Sequence, residues 1–239
     1  MNIYAIEPIG TVLSGNTYPG RGIIAGLTPD GKNAVSAYFI MGRSANSRNR
    51  VFTLKDGALF TEPFDASKVQ DPSLIIYAAV RSFGDKLVVT NGDQTDTVYL
   101  GYADGKDFRT SLATRCFEPD GPNFTPRISA ELTLGSAFTY SMNILKSADA
   151  EGTACNRYTY DYAPIAGTGH FIHTYVCDGN PIPTFQGEPE RVQTRDDIDA
   201  FTGEIWDALD ENNRISLYVR YTSLADGSVT DRLINKNIK

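Results

Sequence analysis

The sequence predicts an α+β fold of mostly antiparallel strands with a few helices packed on the sheets, and three observations carry that expectation. Short strand-like runs separated by frequent turn signals fill the first half of the chain. The apolar period lengthens to about four residues in two places, and two-residue alternation resumes after each. The 239 residues are 41% hydrophobic and 11% aromatic, which is enough for a packed core and too apolar for a disordered or collagen-like chain. No repeat with a period of roughly 20 to 50 residues occurs, and no linker splits the chain, so one domain over 1–239 is expected.

The turn signals are Tyr18-Pro19-Gly20, Pro29-Asp30-Gly31, Asp56-Gly57, Phe83-Gly84-Asp85 and Asn91-Gly92-Asp93. Between them, 22–27, 34–41, 50–54, 73–81 and 86–90 read as strands. Phe108, Leu112 and Cys116 then recur every four residues behind Asp107 as a cap, predicting a helix with a shorter one before it at 97–103. Strands resume at 127–134 and at 137–145, where Phe138, Tyr140, Met142 and Ile144 alternate with polar or small neighbours. The same pattern continues at 156–162 and 170–176. The Pro- and Gly-rich stretch 178–190 is long enough to read as a lid.

Ile198, Phe201, Ile205 and Leu209 form one helical stripe after Thr194, with Asp197 three residues on as an approximate capping box. The acidic residues Asp196, Asp199, Glu204, Asp207 and Asp210 form its solvated face rather than a metal site. Ile215, Leu217, Val219 and Tyr221 alternate in what reads as the last strand.

Charge and motif content narrow the function. A net charge of −7 argues against a general nucleic-acid coat, because phosphate backbones need broad positive surface. The longest apolar run, 74–80, is far below the roughly 20 residues that span a bilayer. The N-terminal residues lack the basic and apolar regions of a secretory signal, and the expected location is the cytoplasm. Cys116, Cys155 and Cys177 are widely spaced without a C-x-x-C pair, and they read as buried thiols. His170 and His173 lie three apart in an alternating strand, so they point to opposite faces and are not expected to share a metal. No dinucleotide fingerprint, Walker loop, H-E-x-x-H or G-x-S-x-G pattern occurs.

Arg, Tyr and carboxylates remain, concentrated in four segments: 18–22 (YPGRG), 42–50 (GRSANSRNR), 77–96 and 117–128 (FEPDGPNFTPRI). There are 14 Arg against 8 Lys, and Arg43, Arg48 and Arg50 fall within one short loop. An acidic protein with a local Arg cluster suggests a small anionic ligand, since guanidinium grips phosphate bidentately. Surface ion pairs would account equally well for the charge alone. Asn91-Gly92-Asp93 is most simply a turn, although Thr95 and Asp96 after it could present oxygens and N–H groups at a helix start.

At these four segments the chain resembles the archaeal-type IMP cyclohydrolase family and its bacterial relatives. The resemblance rests on Gly20-Arg21, Arg43-Ser44 with Asn49-Arg50, Tyr77 with Arg81, and Gly84-Asp85. It continues through Asn91-Gly92 with Thr95-Asp96-Thr97 and Thr125-Pro126-Arg127-Ile128. It spans about 18–145, with a variable C-terminal part from about 155. The resemblance implies a four-layer αββα sandwich of antiparallel sheets, similar to Ntn hydrolases, and dehydrative closure of 5-formamidoimidazole-4-carboxamide ribotide (FAICAR) to IMP.

It further implies catalysis by Arg50, Tyr77 and Glu118, with Asp120 as a competing carboxylate. Arg21, Arg43, Ser44, Arg48, Asn49, Arg81, Asn91, Gly92, Thr95, Asp96, Asp120 and Arg127 are the implied substrate contacts, with Arg21, Arg43 and Arg48 meeting the phosphate. No cofactor and no metal are needed. The expected partner is a small-molecule nucleotide rather than nucleic acid or membrane, and homo-oligomerisation is compatible with all of this. A nucleotide-binding protein of the same fold without catalysis is the alternative.

Overall fold

The computed structural model describes residues 2, 4–69 and 76–238. The chain forms an α+β protein built on two seven-stranded sheets. The first sheet draws strands from both ends of the sequence: β1 (Glu7–Pro8), β2 (Arg21–Leu27), β3 (Asn33–Met41), β11 (Thr168–His173), β12 (Glu190–Gln193), β13 (Arg214–Ser223) and β14 (Val229–Asn235). Their order is β1-β12-β11-β2-β3-β13-β14, antiparallel except for the parallel pair β1/β12. The second sheet is a meander of consecutive strands: β4 (Arg50–Lys55), β5 (Ala58–Pro63), β6 (Tyr77–Phe83), β7 (Lys86–Thr90), β8 (Arg127–Thr133), β9 (Thr139–Ser147) and β10 (Cys155–Tyr162). All its pairings are antiparallel.

The two-residue side-chain period decides where each strand buries its residues. Ile23, Tyr38, Ile40 and Tyr218 of the first sheet share one buried cluster with Phe52, Leu87, Ala130 and Met142 of the second. The alternate residues Ile24, Phe39 and Val219 point the other way. There they pack with Ile9 and Leu13 of α1 (Ile9–Leu13) and with Phe201 and Ile205 of α5 (Ile198–Ala208). Val88 of β7 likewise meets Val98 of α3 (Gln94–Ala103) together with Phe108 and Leu112 of α4 (Phe108–Leu112). A short helix α2 (Ala45–Arg48) joins β3 to β4 across the face where the Arg loop was expected.

Several expectations are corrected. The expected strand 73–81 begins at Tyr77, and 73–75 lie outside the described residues. The helix at 97–103 starts at Gln94, while the helix behind Asp107 ends at Leu112. Asp107 does cap it, accepting from the Thr110 N–H at 2.6 Å. Cys116 falls outside because the chain turns after Leu112, and Phe117 packs edge-on against Phe124 at 5.4 Å. The cap of α5 is Asp197 rather than Thr194, whose hydroxyl instead donates to the Leu27 carbonyl at 2.6 Å. The chain does not close at Tyr221. A further strand, β14, pairs with β13, and its polar Asp231 accepts from the Tyr218 hydroxyl, which masks the apolar alternation.

The cysteines are not buried thiols: Cys116 and Cys177 are exposed and Cys155 is half-buried. His170 and His173 do face opposite sides of β11. His170 bonds the Tyr140 hydroxyl at 2.7 Å between the sheets, and His173 stacks on Phe171 at 4.7 Å on the helix side.

Candidate active site

The loop from Gly42 to Asn49 is ordered by its own hydroxyls. Ser44 caps α2 by accepting from the Ser47 N–H at 3.1 Å, and the Ser47 hydroxyl accepts from the Ser44 N–H at 2.9 Å, which makes a capping box. Arg50 turns back under this loop, with Nε donating to the Ser47 carbonyl at 2.7 Å and Nη2 to the Met41 carbonyl at 2.9 Å. Its guanidinium is almost wholly enclosed. Burial, with the like charge of Arg21 second, lowers its proton affinity from the usual arginine value.

Arg21 opens β2 directly after Gly20. A side chain at residue 20 would meet the Thr174 hydroxyl at 2.2 Å and would have to accept φ +81°, so the backbone reaches β11 there only as glycine. Burial opposes a charge on Arg21, but the Glu118 carboxylate beside it outweighs that and holds its proton affinity above the usual arginine value. The Arg21 Nη2 to Glu118 Oε2 separation is 3.8 Å, and among the described residues no group bonds the Arg21 Nε. Glu118 is held by its backbone, with its N–H donating to the Thr125 carbonyl at 2.9 Å. Burial raises the Glu118 carboxyl above the usual range even though Arg21 and Arg127 pull it down.

These groups converge on a cavity of about 290 Å³ lined by Arg21, Arg43, Ser44, Arg50, Asp120 and Tyr175, with Tyr18, Ser47, Asn123, Thr125 and Ile182 completing the wall. That is at the small end of the roughly 300 to 1,000 Å³ typical of small-molecule sites. Glu118 and Tyr77 sit behind this lining, each about 5% exposed or less. Tyr77 bonds the Tyr38 hydroxyl at 2.9 Å. Burial, with Tyr77 second, drives the Tyr38 phenol well above its usual value, so Tyr38 keeps its proton.

Thr125 and Asp120 form a third wall. The Thr125 N–H donates to Asp120 Oδ1 at 2.6 Å, and its hydroxyl meets Asp120 Oδ2 and the Tyr175 hydroxyl. Tyr18 stacks on Tyr175 at 5.8 Å with Arg43 above the Tyr18 ring, and Arg43 also pairs with Asp178. The 178–190 stretch expected as a lid contributes Ile182, whose N–H donates to Asn123 Oδ1 at 3.1 Å. It is anchored again where Lys146 Nζ donates to the Phe185 carbonyl at 2.9 Å.

The remaining expected contacts lie elsewhere. Arg48 donates to the Gly42 carbonyl and to Asn213 Oδ1, each at 3.0 Å. Asn49 clamps Asp65 by two bonds, its Nδ2 donating to the Asp65 carbonyl at 2.8 Å and its Oδ1 accepting from the Asp65 N–H at 2.7 Å. Arg81 pairs with Asp96 at 2.6 Å and stacks over Tyr99 at 3.7 Å, in a different cleft. Asn91, Gly92, Thr95 and Arg127 form a buried support between the start of α3 and β8. Asn91 Nδ2 donates to the Pro126 carbonyl at 2.9 Å, its Oδ1 accepts from the Ile128 N–H at 2.9 Å, and Thr95 bonds Thr90 at 2.6 Å. Arg127 pairs with Asp93 at 2.7 Å, packed where a Gly92 side chain would meet its Nη1 at 2.4 Å. This support sets the direction of the chain entering β8 from Thr125.

Tyr18, Tyr38, Asn123, Tyr175 and Ile182 were not legible as site residues. Tyr18 sits in the YPGRG segment, so its place beside Arg21 was the nearest available signal. Tyr175 and Ile182 come from the part of the chain beyond the resemblance, where no motif marked them.

Fold and site together define a two-sheet α+β protein with a polar, arginine-lined cavity suited to a small anion. The family described as IMP cyclohydrolase-like protein matches residues 18–227, and the chain belongs to it. The match runs well past residue 155 and takes in Tyr175 and the strands at the first sheet's centre. An IMP cyclohydrolase of Methanopyrus kandleri is 29% identical over 185 residues, covering 71% of this chain and 89% of the relative. One from Methanothrix thermoacetophila is 29% identical over 164 residues, covering 64% and 80%. One from Methanococcus maripaludis is 32% identical over 125 residues, covering 51% and 61%.

Proposed function

We propose that the protein is an IMP cyclohydrolase that closes FAICAR to IMP with loss of water, in purine nucleotide biosynthesis. The observation that carries this reading is a cavity lined by Arg21 and Arg50 with Arg43 at its mouth, and with Glu118 packed behind Arg21 and Tyr77 behind Arg50, so that four separate segments of the chain meet there. Three guanidiniums against the Asp120 carboxylate in the lining favour a phosphorylated ligand.

The reaction joins two groups already on one molecule, so positioning and charge stabilisation are the main tasks. The carboxamide nitrogen attacks the formyl carbon, a C–N bond forms, and charge develops on the former formyl oxygen. Tyr38 keeps its proton, and its hydroxyl bonds only Tyr77 among the described residues. If Tyr38 donates, the Tyr77 proton is left to point at that oxygen, with Arg50 and Arg21 adding positive potential. Glu118, as the carboxylate, accepts a proton from the attacking nitrogen and passes it to the former formyl oxygen to make a hydroxyl. That hydroxyl then leaves as water with a second proton, which comes from the former formamide N–H as the ring C=N bond forms. Arg43 and Ser44 at the mouth receive the phosphate.

The same reading takes the chain as one domain with a four-layer αββα stacking similar to Ntn hydrolases. Its support is the set of three buried clusters: one between the sheets, one under α1 and α5, one under α3 and α4. The interleaving of N- and C-terminal strands in the first sheet supports a single unit. A cytoplasmic enzyme fits the metabolic role, and among the described residues no helix is long and apolar enough to cross a membrane. The test is turnover of FAICAR by purified protein, followed by ultraviolet absorbance, with no added component. A rate no higher than the spontaneous one, with IMP still bound, would leave the non-catalytic nucleotide binder standing.

A further inference from the structure

Cys116 and Cys155 come from distant parts of the chain, the turn after α4 and the start of β10, yet they meet. The Cys155 sulfur has the Cys116 thiol and the Phe117 backbone N–H as neighbours, and its own thiol donates to the Asn156 carbonyl at 3.5 Å. Arg157 holds the two backbones together from one guanidinium, with Nη1 donating to the Cys155 carbonyl at 3.1 Å and Nη2 to the Arg115 carbonyl at 2.8 Å. Cys116 is exposed and Cys155 half-buried, so one sulfur is open to a solution oxidant and the other is shielded beside it. Cys177 is also exposed, but it follows Val176, which is bonded to Pro183 in a separate segment.

We propose that Cys116 and Cys155 are a modification site that forms a reversible intrachain disulfide when the protein meets a peroxide. With Arg157 holding the two backbones side by side and the thiols as neighbours, a local movement of the two side chains brings the sulfurs to the S–S length of about 2.0 Å. The Cys116 thiolate attacks one peroxide oxygen and the O–O bond breaks. Hydroxide leaves and takes a proton to become water, and Cys116 is left as a sulfenic acid. The Cys155 thiolate, beside the Arg157 cation, then attacks that sulfur. The S–O bond breaks and a second water leaves, so two thiols and one hydrogen peroxide yield one disulfide and two waters. Burial and the neighbouring thiol raise the Cys155 proton affinity, which suits it to resolve rather than to react first. The bond would fasten residue 116 to β10 two positions before Glu118, so oxidation reports directly to the cavity wall. The chemistry of the pair is independent of the proposed reaction.

The experiment treats the folded full-length protein with hydrogen peroxide, counts free thiols, and maps linkages by mass spectrometry of unreduced peptides. The expected result is a fall from three thiols to one, a peptide joining Cys116 to Cys155 within one chain, and recovery of all thiols with dithiothreitol. Cys177→Ser should leave the link intact, and Cys155→Ser should leave a sulfenic acid on Cys116 that dimedone traps. Three thiols persisting, a link through Cys177 or between chains, or over-oxidation of Cys116 without a link would each overturn the proposal.

Discussion

Tyr38→Phe separates a positioning role from packing at the floor of the cavity. The ring stays, keeping its stack on Phe52 at 5.3 Å, and only the hydroxyl that bonds Tyr77 at 2.9 Å is removed. Tyr38 and Tyr77 are both buried, so no bulk water replaces the lost partner. A neutral hydrogen bond of this kind is worth about 0.5 to 1.5 kcal/mol, which predicts a fall in kcat of roughly two- to tenfold with KM little changed. Tyr77→Phe removes the donor to the reacting oxygen itself and should cost about 10² to 10³ in kcat, or roughly 3 to 4 kcal/mol. Because Tyr38 acts only through Tyr77, adding Tyr38→Phe to Tyr77→Phe should change kcat no further, whereas independent roles would add. Steady-state FAICAR cyclisation by all four proteins, each with a thermal melt, closes the cycle. Full additivity, or an unchanged kcat in Tyr38→Phe, would refute the relay.

Arg43→Ala is expected to weaken IMP about ten- to a hundredfold while barely affecting inosine, read by calorimetry, since a charge-assisted contact is worth about 1.5 to 3 kcal/mol. Arg48→Ala, by contrast, should lower the melting temperature through its lost bonds to Gly42 and Asn213 and leave the IMP-to-inosine affinity ratio unchanged. Glu118 must be ionised to accept a proton, and burial raises its carboxyl. The rate should therefore fall as pH drops through a value above the ordinary 4.5, and Glu118→Gln should lose that limb of the kcat/KM profile along with most activity. Burial lowers His170 from 6.5 to about 4. The unfolded chain thus takes up this proton first on acidification. Stability should be full above pH 6.5 and decline toward pH 4, by on the order of 3 kcal/mol, in a window that flattens in His170→Phe when measured by denaturant titration.

Sheet content was readable because each strand alternates, and alternation survives wherever a strand has one face against the other sheet and one against helices. It failed at β14, whose Asp231 and Asn235 serve Tyr218 and Phe52 by hydrogen bonding rather than by apolar packing. Helix ends failed where a distant contact overrides local period: Leu112 ends α4 because Phe117 is drawn to Phe124. Site residues were legible in proportion to their charge. Arg21, Arg43, Arg50 and Asp120 reach the cavity, while Arg48 carries the same charge and density in sequence but is spent on a carbonyl and an amide. Nothing local distinguishes Arg48 from Arg50. Only the turn of α2, fixed by Ser44 and Ser47, sends one outward to Asn213 and the other under the loop.

The order of the first sheet adds a constraint that no motif carries. Arg21 leaves Gly20 alongside Thr174, whose hydroxyl accepts the Arg21 N–H at 3.1 Å, and β11 pairs with β2 through His173 and Gly22. Tyr175, two residues beyond that pair, closes the cavity by bonding Thr125 in the loop that leads into β8 of the other sheet. The first arginine and the far wall of the cavity therefore each take one contact from residues after 155. Residues 18–145 carry most of the charged groups and already pair Arg21 with Ile40 and Thr125 with Asp120, but the second contact of each, to Thr174 and to Tyr175, comes from beyond residue 155. The stretch that looked variable is thus part of the site's frame, and substitutions at Thr174 or Tyr175 act on the geometry of Arg21 and Asp120 from the far end of the chain.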